Sequence, residues 1–255
     1  MKPQVAAYIE QQLPEFHKRR LESLTGLDLN KVLMRKNPYL FKAKNINTAA
    51  GLVNAILEAH ISSQEETIFG VFLENVAIHV CFIALGGVKS GIEGVDMEFA
   101  RDEIRYIVSI KSGPNWGNSS QVKKMQENFK KAKILLRQNG TIKNVTAING
   151  CCYGRDNKPD KGDYHKYCGE MFWMLISGDP GIYLELIEPL GHKANQRNDE
   201  FEVEYGKTNN RFTKTFIDEY CMTDGSIDWN KIVILNSAIN NPVKPRTRKA
   251  TGMQA

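Results

Sequence analysis

The chain has 255 residues, of which 42% are hydrophobic and 25% are charged. A chain of this size can bury a sizeable core, and one elaborated domain over residues 1–255 is the simplest expectation. No segment approaches about 18 uninterrupted apolar residues, and the N-terminus lacks the layout of a signal peptide, so we expect a cytoplasmic protein. The five cysteines include no CxxC pair, which argues against a zinc ribbon and against a disulfide framework.

The net charge of +5 is concentrated near the C-terminus. Residues 231–255 contain no acid but five basic residues, Lys231, Lys244, Arg246, Arg248 and Lys249. A basic tail over about residues 242–255 suits a polyanionic partner, because such a partner is bound through its negative charges. A solvated tail is the more frequent explanation of such a charge run. Charge therefore permits a nucleic-acid partner without establishing one.

The first third of the chain is helical in pattern. Residues 5–24 follow helical periodicity, and we expect Pro14 to open a second helix there. A polar connector then leads to a helix over about residues 48–60. Ser63 and Glu66 have the spacing of a capping box, which predicts that another helix begins at Ser63.

The pattern changes from helical to alternating after Gly86-Gly87. Two short runs, residues 95–100 and residues 104–111, are joined by Arg101-Asp102-Glu103, which predicts a β-hairpin. We expect Ser119 or Ser120 to cap a long amphipathic helix after it.

Asn139-Gly140 is expected to end this helix, and residues 144–153 to form another strand. The hairpin and the helix after it, about residues 88–138, form the predicted catalytic segment. The order hairpin, helix, strand predicts an α/β fold: a mixed central β-sheet flanked by helices, with additional helices at both termini.

The predicted hairpin carries side chains suited to phosphodiester hydrolysis. Asp96 lies in the first strand, and Ser109 and Lys111 share one face of the second, because side chains alternate with period two. Asp96 is the expected Mg²⁺ ligand, with the backbone carbonyl of Ile110 as a second ligand. Lys111 is suited to hold the attacking water and to stabilise negative charge. The alternative is an edge hairpin with solvated polar positions.

Short sequence blocks around this hairpin resemble a known family. Gly94-Val95-Asp96 followed by Ile107-Val108-Ser109-Ile110-Lys111 resembles the active-site hairpin of the PD-(D/E)XK nucleases. Further blocks, in a consistent order, resemble type II restriction endonucleases of the PmeII-like group. These blocks are Asn37-Pro38-Tyr39-Leu40, Thr67-Ile68-Phe69-Gly70, Ser109-Ile110-Lys111-Ser112-Gly113, Cys152-Tyr153-Gly154 and Tyr167-Cys168-Gly169-Glu170-Met171-Phe172-Trp173.

The resemblance implies a restriction endonuclease-like fold, Mg²⁺ and a homodimer that cuts double-stranded DNA at a short palindrome. It also implies functional pairing with a DNA methyltransferase. One departure is that Ser109 replaces the usual second acid of the motif. Our preferred substitute is Glu74, which precedes the hairpin on a helix, and Glu93 and Glu127 are held in reserve. The expected catalytic residues are therefore Asp96, Ser109, Lys111 and Glu74, and the expected metal ligands are Asp96, Glu74 and Ile110.

Residues near the start of the long helix are candidates to bind DNA, because helix N-termini present free N–H groups to phosphate. The alternative is a solvated amphipathic helix that contacts no DNA. The full set of DNA-binding candidates is Lys36, Asn115, Trp116, Asn118, Ser119, Gln121 and Lys123.

Two other functions stay open at this point. One is a PD-(D/E)XK nuclease of repair or of mobile elements, which would cut by DNA structure instead of sequence. The other is a DNA-binding protein that has lost catalysis, which the missing acid at Ser109 favours.

Overall fold

The computed structural model describes residues 2–138 and 144–239. It divides the chain into two compact units. Unit 1 comprises Met1–Arg20 and Glu65–Asn198, and unit 2 comprises Leu21–Gln64 and Asp199–Ala255. The basic tail and the Asn139-Gly140 helix stop lie outside the described residues, and one endonuclease domain over the whole chain stays a prediction.

The described residues form ten helices and five strands. The helices are α1 (Pro3–Thr25), α2 (Leu29–Met34), α3 (Pro38–Ala43), α4 (Ala49–Leu85), α5 (Ser119–Gln138), α6 (Glu170–Ser177), α7 (Ile182–Glu185), α8 (Ile187–Leu190), α9 (Ala194–Tyr220) and α10 (Trp229–Ser237). The strands are β1 (Val88–Lys89), β2 (Met97–Arg101), β3 (Ile104–Lys111), β4 (Asn144–Cys151) and β5 (His165–Cys168).

All five strands form one mixed sheet in unit 1, with the order β1-β2-β3-β4-β5. The first three strands are antiparallel neighbours, whereas β3, β4 and β5 are parallel. Asp102 and Glu103 connect β2 to β3 with φ values of 51° and 61°, the left-handed conformation of a tight hairpin turn. The predicted hairpin and the mixed α/β sheet are confirmed.

Helices cover both faces of this sheet. Val108 and Ile110 of β3 belong to a buried cluster that also contains residues of α1, α4 and α6. Their neighbour Ile107 belongs to a second cluster, together with Met125 and Phe129 of α5. A strand with apolar residues on both faces is typical of a central strand between two helical layers, so the end of β3 has a rigid support.

Unit 2 has a helical core of its own. Its buried apolar residues come from α2, α3, the first part of α4, the last part of α9, α10, and Ile227 between the last two. Asn236 of α10 donates hydrogen bonds from Nδ2 to the backbone carbonyls of Leu33, Met34 and Lys36 at 3.2, 3.0 and 3.1 Å. These bonds join α10 to the end of α2 and to the residues that follow it.

Two predicted helix boundaries are wrong. Pro14 lies inside α1 and does not open a second helix. Ser63 lies inside the 37-residue α4, where no helix begins. Proline weakens a helix, but burial of Val5, Ile9 and Leu13 on one face of α1 offsets that cost. The polar segment around Ser63 contains no glycine or proline, so the helix continues through it.

The cap of α5 also differs from the prediction. Asn118, and neither Ser119 nor Ser120, is the capping residue: its Oδ1 accepts a hydrogen bond from the backbone N–H of Gln121 at 3.0 Å. The side-chain Oε1 of Gln121 in turn accepts from the backbone N–H of Asn118 at 3.0 Å. This reciprocal pair is a capping box. The capping residue therefore lies one position before Ser119, the first of the two predicted candidates.

Helix α4 is long and apolar enough to cross a membrane, by length and composition alone. Its most apolar 18-residue window has a mean hydropathy of 2.1, and 28% of that window is buried. A single helix of this kind is weak evidence for a membrane span, since core helices of soluble proteins share these properties. In unit 1 its buried face, which includes Val76 and Val80, packs in the core beside the sheet.

Candidate active site

Asp96 lies immediately before β2 and is held there by backbone hydrogen bonds. Gly94 precedes it with a φ of 76°, a left-handed conformation that favours glycine, and the side chain of Asn128 packs where a Cβ would stand. The backbone N–H of Asp96 donates to the carbonyl of Val108 at 2.8 Å, and its carbonyl accepts from the N–H of Ser90 at 3.1 Å. Both backbone polar groups of Asp96 are therefore held by hydrogen bonds.

The Asp96 carboxylate meets all three residues of the Ser109-Ile110-Lys111 motif. Its Oδ2 atom accepts a 2.6 Å hydrogen bond from the backbone N–H of Ile110 and a 3.3 Å bond from Ser109 Oγ. Lys111 Nζ lies 3.9 Å from the same oxygen. The predicted convergence of a carboxylate, a hydroxyl and an ammonium group at one end of the hairpin is present in the structure.

Glu74 of α4 lies close enough to interact electrostatically with this group. Its side chain is 28% exposed and forms a 3.8 Å ion pair with Lys89. Burial raises the pKa of Glu74, the negative charge of Asp96 raises it further, and Lys89 and Lys111 lower it. The two carboxylates thus lie close enough for their negative charges to repel each other. A cation bound near both would relieve this repulsion.

The reserve candidates for a second acid, Glu93 and Glu127, are both exposed. Glu74 is less exposed than either, at 28% of its side chain, and its pKa responds to both Asp96 and Lys111. Glu74 is therefore preferred, and its role as a ligand stays a prediction.

The sequence reasoning missed Asn149, a buried polar residue beside Ser109. Ser109 on β3 and Asn149 on β4 are direct register partners and are 3% and 1% exposed. Asn149 donates from Nδ2 to the backbone carbonyl of Ser109 at 3.3 Å and accepts at Oδ1 from Trp116 Nε1 at 3.0 Å. An amide directly after the apolar pair Ala147-Ile148 in the predicted strand was the available signal, because a buried amide needs partners.

A partly buried ion pair between β2 and β3 stabilises the hairpin. Glu98 of β2 is 7% exposed and accepts at Oε2 from Arg105 Nε and Nη2 at 3.2 and 2.9 Å. Its other oxygen accepts from Ser90 Oγ at 2.6 Å. The Ser90 N–H also donates to the carbonyl of Asp96, so Ser90 connects the Glu98–Arg105 ion pair to Asp96.

Residues 3–198 match the family model of type II restriction endonuclease EcoO109I. The matched segment is more than half of the chain, and it contains Glu74, Asp96 and Lys111. The chain belongs to the type II restriction endonuclease EcoO109I family. The predicted relationship to restriction endonucleases is confirmed, and the mixed sheet between helices agrees with it. No curated protein matches the sequence.

Most of the predicted DNA-binding residues of this restriction endonuclease lie on the surface near the start of α5. These exposed residues are Asn115, Asn118, Ser119, Gln121 and Lys123. Trp116 differs from them, because its indole N–H is bonded to the buried Asn149. Lys36 belongs to unit 2, where its Nζ donates to the backbone carbonyl of Ala59 at 2.9 Å. Contact with DNA stays a prediction for all of them.

The acids in this restriction endonuclease fit Mg²⁺ better than a transition metal. Among the residues that the structure describes, no group of three or more His, Cys, Asp and Glu side chains is arranged to hold a metal ion. Mg²⁺ typically needs only one or two carboxylates and keeps several waters. The carboxylates of Asp96 and Glu74 carry hard oxygen atoms, the donor type that Mg²⁺ prefers. The neighbouring Cys152 is a poor ligand, because burial, with a smaller contribution from Glu74, raises the pKa of its thiol to about 12.

Proposed function

We propose that this chain is a Mg²⁺-dependent type II restriction endonuclease that hydrolyses both strands of double-stranded DNA at a short palindromic site. Membership of the restriction endonuclease family supports the reaction class. The observation that carries the proposal is the approach of Lys111 Nζ to Asp96 Oδ2 at 3.9 Å, with Glu74 close enough for its pKa to respond to both.

Each residue of the site has a role that follows from its chemistry. Asp96 and Glu74 hold the cation through their carboxylates, and the backbone carbonyl of Ile110 is a further ligand. A bound Mg²⁺ supplies charge neutralisation at the phosphate and makes water more acidic. Lys111 holds the attacking water and stabilises the negative charge that develops on the phosphate.

Ser109 supports the site without acting on the substrate. Its hydroxyl donates to Asp96 Oδ2 at 3.3 Å, and it is 3% exposed. A buried hydroxyl in this position helps to orient the carboxylate, and because it carries no charge it is a weaker Mg²⁺ ligand than a carboxylate. Glu74 therefore supplies the second carboxylate that Ser109 does not.

The assembly follows from the proposed substrate. A palindromic site has a two-fold axis, and a symmetric homodimer places one active site on each strand. We further propose that the enzyme belongs to the PmeII-like group, acts in the cytoplasm, and is paired with a DNA methyltransferase that protects the host sites. The exposed residues at the start of α5 are the proposed phosphate contacts.

Digestion of plasmid DNA by the purified chain tests this function. We expect discrete bands in Mg²⁺ and intact plasmid in EDTA. Degradation without discrete bands would instead identify a nuclease of repair or of mobile elements. Specific DNA binding without cleavage at any Mg²⁺ concentration would identify an inactive DNA-binding protein, which is the alternative that Ser109 favours.

A further inference from the structure

Lys111 lies between a carboxylate and an aromatic ring. Its Nζ is 3.9 Å from Asp96 Oδ2 and 5.2 Å from the centre of the Trp116 ring. The Lys111 side chain is 29% exposed, so solvent still reaches the amine. A cation is attracted to the face of an indole, and this attraction limits how far the ammonium group swings away from Asp96.

The indole of Trp116 is itself held by a buried amide. Trp116 Nε1 donates to Asn149 Oδ1 at 3.0 Å, and Asn149 Nδ2 donates to the Ser109 carbonyl at 3.3 Å. Asn149 is 1% exposed, so its two hydrogen bonds are not exchanged easily for bonds to water. The ring is thus tied to β3, the same strand that carries Lys111.

We propose that Trp116 and Asn149 are positioning residues for Lys111. Trp116 supplies the aromatic face against which the ammonium group rests, and Asn149 fixes the plane of that face. This assignment rests on the proposed role of Lys111 in DNA cleavage. It replaces the expectation that Trp116 contacts DNA, because the indole N–H is already bonded inside the protein.

Nuclear magnetic resonance of the full chain tests the geometry without any need for activity. Protons above an indole ring resonate upfield, so in protein labelled with ¹³C at lysine Cε the Lys111 signal is expected upfield. Its absence from Lys111→Arg assigns the signal. We expect it to move to the ordinary lysine position in Trp116→Leu and to move part of the way in Asn149→Leu.

A second lysine provides a matched control in the same spectrum. Lys42 Nζ lies over the Trp229 ring, 5.3 Å from its centre, in unit 2. The Lys42 signal is expected to stay upfield in Trp116→Leu and to move in Trp229→Leu. Agreement of both patterns shows that the shift reports the nearby indole and that unit 2 of Trp116→Leu is folded, and circular dichroism of Trp116→Leu checks the fold of the whole chain.

Kinetics separate positioning from DNA binding. In Trp116→Leu we expect the single-turnover cleavage rate to fall by about 10- to 100-fold, since a small displacement of a catalytic group has an effect of this size. Trp116→Phe keeps an aromatic face and should lose less. The Kd for site DNA, measured with Ca²⁺ in place of Mg²⁺, should stay within about twofold of wild type, because no base or phosphate contact is removed. Trp229→Leu should change neither quantity.

The outcomes distinguish this proposal from the proposed function. A Kd that rises in step with the loss of rate would make Trp116 a DNA contact and overturn the positioning role. A Lys111 signal at the ordinary position in the wild-type protein would overturn it as well. Absence of cleavage by the wild-type protein would count against the proposed function alone, since the resonance pattern still tests the geometry.

Discussion

The carboxylate of Asp96 accepts a 2.6 Å hydrogen bond from the backbone N–H of Ile110, fourteen residues later in the chain. The bond joins the start of β2 to the last residues of β3, so the position of the carboxylate depends on the hairpin register and not on the Ile110 side chain. A slip of one residue would turn Lys111 and Ser109 to the opposite face of the sheet. The tight Asp102-Glu103 turn and the partly buried Glu98–Arg105 pair oppose such a slip.

Removing the charge of Asp96 tests the centre of the site. We expect Asp96→Asn to abolish cleavage, because the proposed metal loses its main ligand. The Kd for site DNA in Ca²⁺-free EDTA buffer should change by less than about threefold, since the DNA contacts remain. Cleavage assays and a binding titration measure the two quantities.

Asp102→Asn is the matched control for this prediction. Asp102 lies in the hairpin turn, its side chain is 80% exposed, and asparagine tolerates its positive φ. Cleavage by this variant should equal that of the wild type. Near-normal cleavage by Asp96→Asn would remove Asp96 from the site.

The buried ion pair in the hairpin is expected to matter for stability. Arg105→Met leaves the carboxylate of Glu98 buried without its cationic partner. One-sided removal of a buried pair is costly, and because Arg105 is partly exposed we expect the free energy of unfolding to fall by about 2 kcal/mol. Arg101→Met, which removes an exposed partner of Asp102, should change it by less than about 0.5 kcal/mol. Urea denaturation followed by circular dichroism measures the free energy of unfolding of both variants. An equal decrease in the two would contradict a stabilising role of the Glu98–Arg105 pair.

The hairpin and the sheet were predictable because their signals are local. Period-two alternation identified β2 and β3, and the same alternation placed Ser109 and Lys111 on one face. The capping box at Ser63 failed for a physical reason. A serine three residues before a glutamate can start a helix, but it also lies readily inside one when its flanks contain no helix breaker.

The contacts between distant segments were not predictable to the same extent. The partnership of Trp116 with Asn149 depends on a 33-residue separation that no local pattern encodes. Glu74 was selected because its helix was expected to dock against the sheet, and the electrostatic influence of Asp96 on its pKa agrees with that expectation. The metal role of Glu74 is a chemical property that needs an experiment.

Glu74→Gln is expected to weaken Mg²⁺ binding and to stabilise the metal-free protein. The amide keeps the shape but loses the charge, so cleavage should need more Mg²⁺ or cease. Burial and Asp96 raise the pKa of Glu74 above its ordinary 4.5, so the charged form opposes folding. The unfavourable contribution of the charged Glu74 to the stability of the folded state is absent below pH 4.5 and grows as the pH rises through the folded pKa. Without metal, Glu74→Gln should therefore have a higher Tm at neutral pH, and the same Tm as wild type near pH 4.

Two other acids serve as controls for Glu74. Glu93→Gln and Glu127→Gln change exposed carboxylates, and we expect each to keep the wild-type Mg²⁺ dependence and Tm. Mg²⁺ titrations of the cleavage rate, with thermal unfolding at both pH values, compare the three variants. A wild-type Mg²⁺ dependence in Glu74→Gln would exclude Glu74 as a ligand, and a shifted dependence in either control would identify the replacement.

Ser109→Asp returns a second carboxylate to the hairpin motif. Ser109 lies against Asp96, with its Oγ 3.3 Å from Oδ2, so an aspartate at this position would place a carboxylate next to the same oxygen. If Glu74 compensates for the serine, then Ser109→Asp in the Glu74→Gln background should restore cleavage at least in part and lower the Mg²⁺ requirement. Ser109→Asn in that background has nearly the same shape without the charge and should restore nothing. Ser109→Ala alone should reduce the rate by only about tenfold or less, since it removes one long hydrogen bond, 3.3 Å, from a neutral donor to the Asp96 carboxylate. Circular dichroism confirms that each double variant is folded. A folded Ser109→Asp/Glu74→Gln protein that is as inactive as its asparagine counterpart would show that the acid at Glu74 has a function that the motif position does not replace.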